Sequence, residues 1–549
     1  MKLPRPRLPR VPPRVRTVAA RVTTVLAFLL VLTVLVAPTE AGRLSPAGFL
    51  RLPVEAALGV ALVLVLPPKP RRVVAVVLGV VLGLLAIVKI IDRGFVAVLA
   101  RPFDPVVDLP LLDAAMGFLT DSIGRAGAIG AAVGAVALAA AVLALIILAV
   151  LRVTRLVVRH DTAAARCAAV LGVAWAVCAV LSVQIVPGVP VAAHSYDRVH
   201  QVYESLQDRE AFADEAAVDA FGDAADGDML AALQGKDVVL VFIESYGRDA
   251  VENPRYAPEV APVLDAGTAR LAGAGYGSRS GWLTSSTVGG ASWFAHATLL
   301  SGLWVNNQQR YNTLVGSDRL TLNRAFQNAG WRTVAVMPGL FEDWPEGEFF
   351  GYDQVYGQAE LGYRGPRMNW GRVPDQYALS VFQRLERARP DRAPVMAELA
   401  LLSSHVPWSP VPTLVDWDEV GDGSVYEGLA GEELSESKLR DPDRMRSAYP
   451  QALAYSLNTM VSYVETYGDD DLVFMFLGDH QPARMITGDD ATADVPISIV
   501  ARDQAVLDRV SGWGWQDGLK PGPQAPVARM DTFRDRFLST FGSPGAPAP

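Results

Sequence analysis

Cysteine is nearly absent. The chain has two in 549 residues, Cys167 and Cys178, and both fall in one apolar stretch. Beyond residue 190 there is none, which excludes disulfides, a cysteine nucleophile and a thiolate zinc site from that part. Histidine is scarce as well: six in all, with His194, His200, His296, His405 and His480 beyond residue 190. Positive charge is outnumbered in the same region. Residues 1–190 carry 20 Lys+Arg against 8 Asp+Glu, a balance of +12; the remainder carries 29 against 50, a balance of −21, and together they make the chain's −9. An acidic region excludes nucleic acid as a partner, because phosphate binding needs a basic face. The opposite balances imply two parts in two environments.

Long apolar runs are what the basic part does have. Residues 17–38, 52–67, 72–91, 126–151 and 165–187 each read as a membrane span, which takes about 20 residues. The second is short and carries Glu55. No small-residue cleavage site marks the first as a signal peptide. Basic residues cluster at the N-terminus (Lys2, Arg5, Arg7, Arg10, Arg14, Arg16), after the second run (Lys69, Arg71, Arg72) and after the fourth (Arg152, Arg155, Arg159, Arg166). By the excess of Lys and Arg in cytoplasmic loops, five spans with the N-terminus inside put residues 190–549 outside. If the second run does not span, that parity flips. The expected organisation is a membrane domain over 1–190 with about five transmembrane helices, a polar helical connector over 191–235, an α/β domain over 236–540 and a disordered tail over 541–549. The expected location is the plasma membrane, multi-pass, with the α/β domain extracytoplasmic.

That domain shows apolar runs alternating with helical patterns. "KDVVLVFIES", "WRTVAVMPG", "VMAELALLSSHVPW", "LVFMFLGDHQP" and "VPISIVARD" read as strands, with helices over 320–329 and 447–466 between them. The alternation predicts a largely parallel central sheet. Ligand sites in such sheets lie outside the carboxyl ends of the strands. Three strands end there in polar residues: one at Glu244, one with His405 at its tip, one at Asp479-His480. Each has an ordinary reading, as a polar strand end, a loop residue before Pro407 or a turn. Together they point to a metal site built of oxygen and nitrogen ligands. In "TVGGASWFAHATLLSG" a helix is expected from Ala291 to Leu300, with Ser292 at its start, where free N–H groups and the dipole favour anions. A hydroxyl there suits a nucleophile activated by a metal; serine is also a common N-cap. His296, at i+4, shares the face of Ser292 and reads either as a proton donor to a leaving group or as a residue packed on the sheet. Thr287 is an alternative nucleophile in the same loop. "LWVNNQQRY", with Trp304 and Arg310, reads as a polar substrate groove or a solvated loop. The acidic "DWDEVGDGS" lacks the ligand spacing of an EF-hand.

The order "VVLVFIES … GGASWFAHATLLSG … ALLSSHVPW … FMFLGDHQP" resembles the alkaline phosphatase/sulfatase superfamily. Within it the chain is most similar to the lipoteichoic acid synthase and phosphoglycerol transferase branch, which also joins five spans to an extracytoplasmic catalytic domain. The resemblance implies an alkaline phosphatase-like fold, metal ligation by Glu244, Ser292, Asp479 and His480, and Ser292 as nucleophile where that branch usually has threonine. Ser292 also precedes "LLSG" by the step at which a sulfatase nucleophile precedes Leu-Thr-Gly. His405 matches the histidine that contacts the transferred group, and Trp344 in "DWPEGEFFGYDQVYG" matches a substrate-binding tryptophan. The arginine of that segment is missing here, with Glu346 close by. The formylglycine pattern of true sulfatases lacks its Pro and Arg in "SWFAH", which argues against sulfatase chemistry. Five histidines are few for a two-zinc phosphatase, so one divalent metal is expected, manganese first, with magnesium and zinc open. The implied activity is a metal-dependent phosphotransferase acting on phosphoglycerol or phosphoethanolamine head groups of a membrane lipid or envelope glycan through a phospho-serine. The rival readings are a phosphodiesterase without a specific acceptor and a non-catalytic membrane sensor.

Overall fold

The computed structural model describes residues 13–37, 53–99, 101–109, 111–180, 191–222, 229–341, 344–366, 373–429 and 441–543. The first basic residues (Lys2 to Arg10), residues 181–187 of the fifth apolar run and the tail from 544 lie outside them. The chain divides into two compact units. One holds most of residues 1–203; the other holds 204–549 with the short segments 97–100 and 104–114.

In the first unit, four helices are long and apolar enough to cross a membrane: Arg14–Val36, Pro68–Val96, Ile123–Arg159 and Asp161–Cys178. The second apolar run forms the helix Val54–Val65, of 12 residues, about 18 Å long at 1.5 Å per residue. That is short of the ~30 Å hydrocarbon core. Most large side chains on these helices face outward, Leu26, Val77, Val136 and Leu148 among them, as a lipid solvent permits. Two glycines set the approach of neighbouring helices. A side chain on Gly79 would meet the Ile147 backbone at 2.8 Å, and one on Gly83 would meet the Leu143 side chain at 2.5 Å. Small residues at such crossings let helix backbones close up in the absence of a hydrophobic drive.

The second unit is built on a sheet of nine strands: β1 (Asp237–Ile243), β2 (Gly277–Thr284), β3 (Arg332–Val336), β4 (Gln354–Tyr356), β5 (Val395–Leu401), β6 (Leu472–Gly478), β7 (Asp494–Ala501), β8 (Gln516–Asp517) and β9 (Val527–Arg529). The order is β4-β3-β5-β1-β6-β7-β2-β8, with β9 beside β2. Alternation of side chains explains why the central strands are apolar throughout. Val239, Val241 and Ile243 of β1 enter one core and Val238, Leu240 and Phe242 the other; β6 splits the same way. The helices Ala257–Gly273 and Pro442–Tyr467 cover the first face, and Ser292–Ser301 covers the second.

The expectation of a largely parallel sheet needs correction. From β4 to β6 every pair is parallel, but β7 runs antiparallel to β6 and to β2, and β8 antiparallel to β2. A parallel neighbour needs a crossover, usually a packed helix. Between β6 and β7 the only helix is the single turn Arg484–Thr487, so the chain returns on itself and the sheet is mixed.

Candidate metal centre and nucleophile

The carboxyl ends of β1, β5 and β6 lie side by side, because these strands are adjacent and parallel. β1 hands over to Glu244, β6 to Asp479 and His480, and β5 to Ser403, Ser404 and His405. Their backbones can come so close only where side chains are absent: a Cβ on Gly478 would sit 1.8 Å from the Tyr246 carbonyl. Ser245 takes a left-handed conformation, φ 58°. It uses it to donate from its N–H to Asp479 Oδ1 at 2.8 Å and from its hydroxyl to Glu244 Oε1 at 2.8 Å. Strain of this kind persists where surrounding contacts over-determine it.

The nucleophile loop is pinned to the same edge. Gly289 N–H donates to the Gln481 carbonyl at 2.8 Å. Gly289 has φ 77°, and a side chain there would press on the Ala483 backbone at 3.1 Å. Ala291, at φ 59°, caps the helix, so Ser292 is its first residue rather than its N-cap. Ser292 Oγ donates to Glu244 Oε2 at 3.0 Å and lies 3.2 Å from His480 Nε2. The Thr287 hydroxyl is engaged elsewhere, donating to the Gly290 carbonyl at 2.7 Å.

Glu244, Asp479 and His480 are all buried, and ligand atoms from the three lie within 4.8 Å of one another. His480 Nδ1 lies 2.9 Å from the Gln481 carbonyl. It is therefore the protonated nitrogen, and Nε2 is left 3.5 Å from Glu244 Oε1 and 3.6 Å from Asp479 Oδ2. That is how a metal-binding imidazole is usually oriented. Among the described residues no lysine or arginine pairs with either carboxylate. Burial opposes ionisation of both. For Glu244 the charges of His480 and His405 and the Ser245 hydrogen bond prevail and hold it below the usual range. Asp479, which also faces the Glu244 charge, is pushed up. Burial pulls His480 down, but the two carboxylates hold it above its ordinary value. Two buried acids with, among the described residues, no lysine or arginine beside them are expensive unless a cation joins them. The donor set of carboxylates, imidazole and hydroxyl suits a divalent ion.

His405 stands at the tip of β5 with Nδ1 2.7 Å from the Val406 carbonyl. The preceding Ser404 hydroxyl donates to the Glu244 carbonyl at 2.6 Å. His296 leans on the sheet: its ring stacks on Phe242 at 3.7 Å and Nδ1 lies 2.8 Å from Glu398 Oε1. Trp344 packs on Phe350 and Tyr352, at 5.5 and 5.9 Å between ring centroids. Arg310 is occupied by Asp208 and the Trp304 carbonyl and lies over Phe212. The fold thus gathers Glu244, Ser292, Asp479 and His480 into one cluster. It gives Trp344 packing partners and Arg310 a carboxylate on the helix Val191–Ala217. Sequence reasoning passed over Ser245, Ser404 and Glu398. A lone glutamate inside the apolar "VMAELAL" was a legible signal for the last.

Residues 236–494 match the model of the family described as Sulfatase. No curated protein matches the chain. Among solved structures, it is similar to the lipoteichoic acid synthase LtaP from Listeria monocytogenes (16% identity, 58% of this chain and 75% of that one, TM-score 0.38). It is likewise similar to the C-terminal periplasmic domain of EptC from Escherichia coli (14%, 56% and 82%, TM-score 0.39). A third is the Streptococcus pyogenes phosphoglycerol transferase GacH in complex with sn-glycerol-1-phosphate (13%, 61% and 82%, TM-score 0.37).

Proposed function

We propose, from the match of residues 236–494 to the sulfatase family model, that the protein is a membrane-anchored, metal-dependent phosphotransferase of the cell envelope. The donor is a phosphodiester head group of the phosphoglycerol or phosphoethanolamine type. The observation that carries the reading is Ser292 Oγ, at the first residue of a helix, 3.0 Å from Glu244 and 3.2 Å from His480. Glu244, Asp479, His480 and Ser292 would hold one divalent cation, manganese before magnesium or zinc. When bound, that ion would lower the pKa of the Ser292 hydroxyl, which gives up its proton to water before attack.

Ser292 Oγ attacks the phosphorus in line, the bond to the lipid alcohol breaks, and a phospho-Ser292 carrying the head group forms. The helix N-terminus and His405 stabilise charge on the equatorial oxygens. His296 gives a proton to the leaving oxygen. An acceptor alcohol, or water in a hydrolase, then resolves the intermediate. In this reading Trp344 and Arg310 contact the substrate, Arg310 exchanging Asp208 for it. A lipid donor agrees with the four apolar helices. An extracytoplasmic domain follows from the arginine-rich loops only with Val54–Val65, 12 residues long, as a fifth crossing.

The test uses full-length protein and Ser292→Ala in detergent with manganese, offered fluorescent-tail phosphatidylglycerol and phosphatidylethanolamine. The expected result is labelled diacylglycerol from the wild type alone. Release that survives Ser292→Ala would sink the assignment.

A further inference from the structure

Glu398 sits in the middle of β5, 1% exposed, between Leu240 of β1 and Ala335 of β3. Its strand neighbours are Ala397 and Leu399, so it is a carboxylate in the apolar interior of a parallel sheet. A buried charge persists only where it is paired and hydrogen-bonded. Among the described residues its partners come from three separate elements. His296 Nδ1 is 2.8 Å from Oε1, Asn323 Nδ2 donates to Oε2 at 3.2 Å, and the Tyr352 hydroxyl donates to Oε2. No lysine or arginine is among them. Burial and the Glu398 charge hold the Tyr352 phenol well above its ordinary value, so it remains a donor.

An ionised carboxylate accepts hydrogen bonds and cannot donate them. The hydrogen between Glu398 and His296 therefore rides on Nδ1 in either charge state of the ring. Among the described residues Nε2, on the opposite side, makes no hydrogen bond, and the His296 side chain keeps 12% of its surface exposed. The Phe242 ring at 3.7 Å fixes the imidazole plane, and the i+4 spacing puts His296 on the helix face that carries Ser292. A carboxylate that sets the tautomer of an imidazole and balances its charge, without itself touching substrate, is the third member of a catalytic triad in function.

We infer that Glu398 is a positioning residue for proton transfer: it fixes His296 with hydrogen on Nδ1 and presents Nε2 to the oxygen that leaves and the oxygen that enters. The inference rests on the phosphodiester chemistry proposed above. In the first half-reaction the Ser292 Oγ–P bond forms, the bond from phosphorus to the lipid alcohol breaks, and the proton on Nε2 passes to that alcohol oxygen. In the second the acceptor O–P bond forms, the Oγ–P bond breaks, and the acceptor's hydroxyl proton passes to Nε2. His296 ends as it began.

An alkyl leaving group needs that proton; a p-nitrophenolate scarcely does. Full-length wild type, Glu398→Gln, His296→Gln and the double variant are assayed in detergent with manganese on fluorescent-tail phosphatidylglycerol and on bis(p-nitrophenyl) phosphate. Glu398→Gln is expected to lower kcat on the lipid by about 100-fold, at the low end for general acid catalysis, and at least tenfold more than on the aryl diester. The double variant should be no slower on the lipid than His296→Gln, since the two act as one unit. Equal losses on both diesters, or no loss, would overturn the inference. If Glu398→Gln does not fold, Tyr352→Phe removes one donor from the same carboxylate and should show the same preference for the aryl diester, several-fold. Failure of the underlying reading looks different: the wild type cleaves neither diester, or Ser292→Ala cleaves both, and either result overturns both proposals.

Discussion

The two ends of β1 treat a buried carboxylate in opposite ways. At the start, Asp237 is held by Arg387 at 3.0 Å and by Arg392, and accepts the Val395 N–H at 3.0 Å. At the finish, Glu244 has Ser245, Ser292 and His480 around it and, among the described residues, no fixed cation. The strand is seven residues long, and burial is similar at both ends. A permanent guanidinium makes the first end a structural ion pair. Its absence leaves the second end with spare negative charge, and so with an appetite for a metal. Asp237 is held below the usual carboxylate range despite burial, chiefly by Arg392, whereas Asp479 beside Glu244 is pushed up. A close pair of buried acids tells a centre meant to receive a cation from one that already has it.

Substitutions at the two ends should therefore diverge. The largest expected effect is on turnover. Glu244→Gln and Ser292→Ala each lower kcat by at least about 10³-fold, the scale seen when a nucleophile or the group activating it is lost, and chelation does the same to the wild type. Diacylglycerol release at saturating lipid measures it. Next comes stability at the structural end. Arg387→Met leaves Asp237 short of a partner and costs about 3 kcal/mol, read as a lower Tm with or without metal. At the catalytic end the sign reverses. Asp479→Asn raises the Tm of the metal-free protein, by on the order of 1 kcal/mol, because it removes a mutual repulsion between buried acids, while abolishing the stabilisation by added manganese.

The pH dependence follows from the same contrast. Asp479 is raised from 3.8 to about 7, so its contribution to metal-free stability is complete below about pH 4 and is lost as pH rises through about 7. His480, also raised, loses its contribution in the same direction. Glu244, lowered from 4.5 to about 2, contributes above its unfolded value and fails only in strong acid. Metal-free protein should lose Tm between about pH 5 and pH 8, and manganese, which binds the deprotonated ligands, should reverse that slope. Melting curves with chelator and with manganese at the two pH values check it; a metal-free Tm that rises with pH would contradict the electrostatic picture. The smallest effect is at Thr287. Its hydroxyl bonds the Gly290 carbonyl and not the cluster, so Thr287→Ala should change kcat less than about tenfold, the effect of one lost loop hydrogen bond.

Much of this was legible in the chain itself. Apolar runs without alternation required strands buried on both faces, and a strand that breaks off at Glu, at Ser-Ser-His or at Gly-Asp-His announces chemistry at the sheet edge. The apolar helices and the charge asymmetry were equally local properties, since hydropathy and charge are sums over neighbours in sequence. What needed the tertiary structure was every choice between chemically equivalent residues. Ser292 and Thr287 are both hydroxyls in one loop; only the pairing of Gly289 with Gln481 turns one of them toward Glu244. Arg310 has the chemistry of a substrate clamp, but Asp208, more than a hundred residues away, already engages it. The antiparallel half of the sheet escaped because strand direction depends on what lies between strands, and "GSRSGWLT" has no pattern that marks it as β2. Glu398 was visible as an oddity in its strand, yet its meaning lies in His296, Asn323 and Tyr352, which converge on it from three elements. Hydrophobicity and strand ends act along the chain; hydrogen-bond partnership acts across space, and only the folded chain decides it.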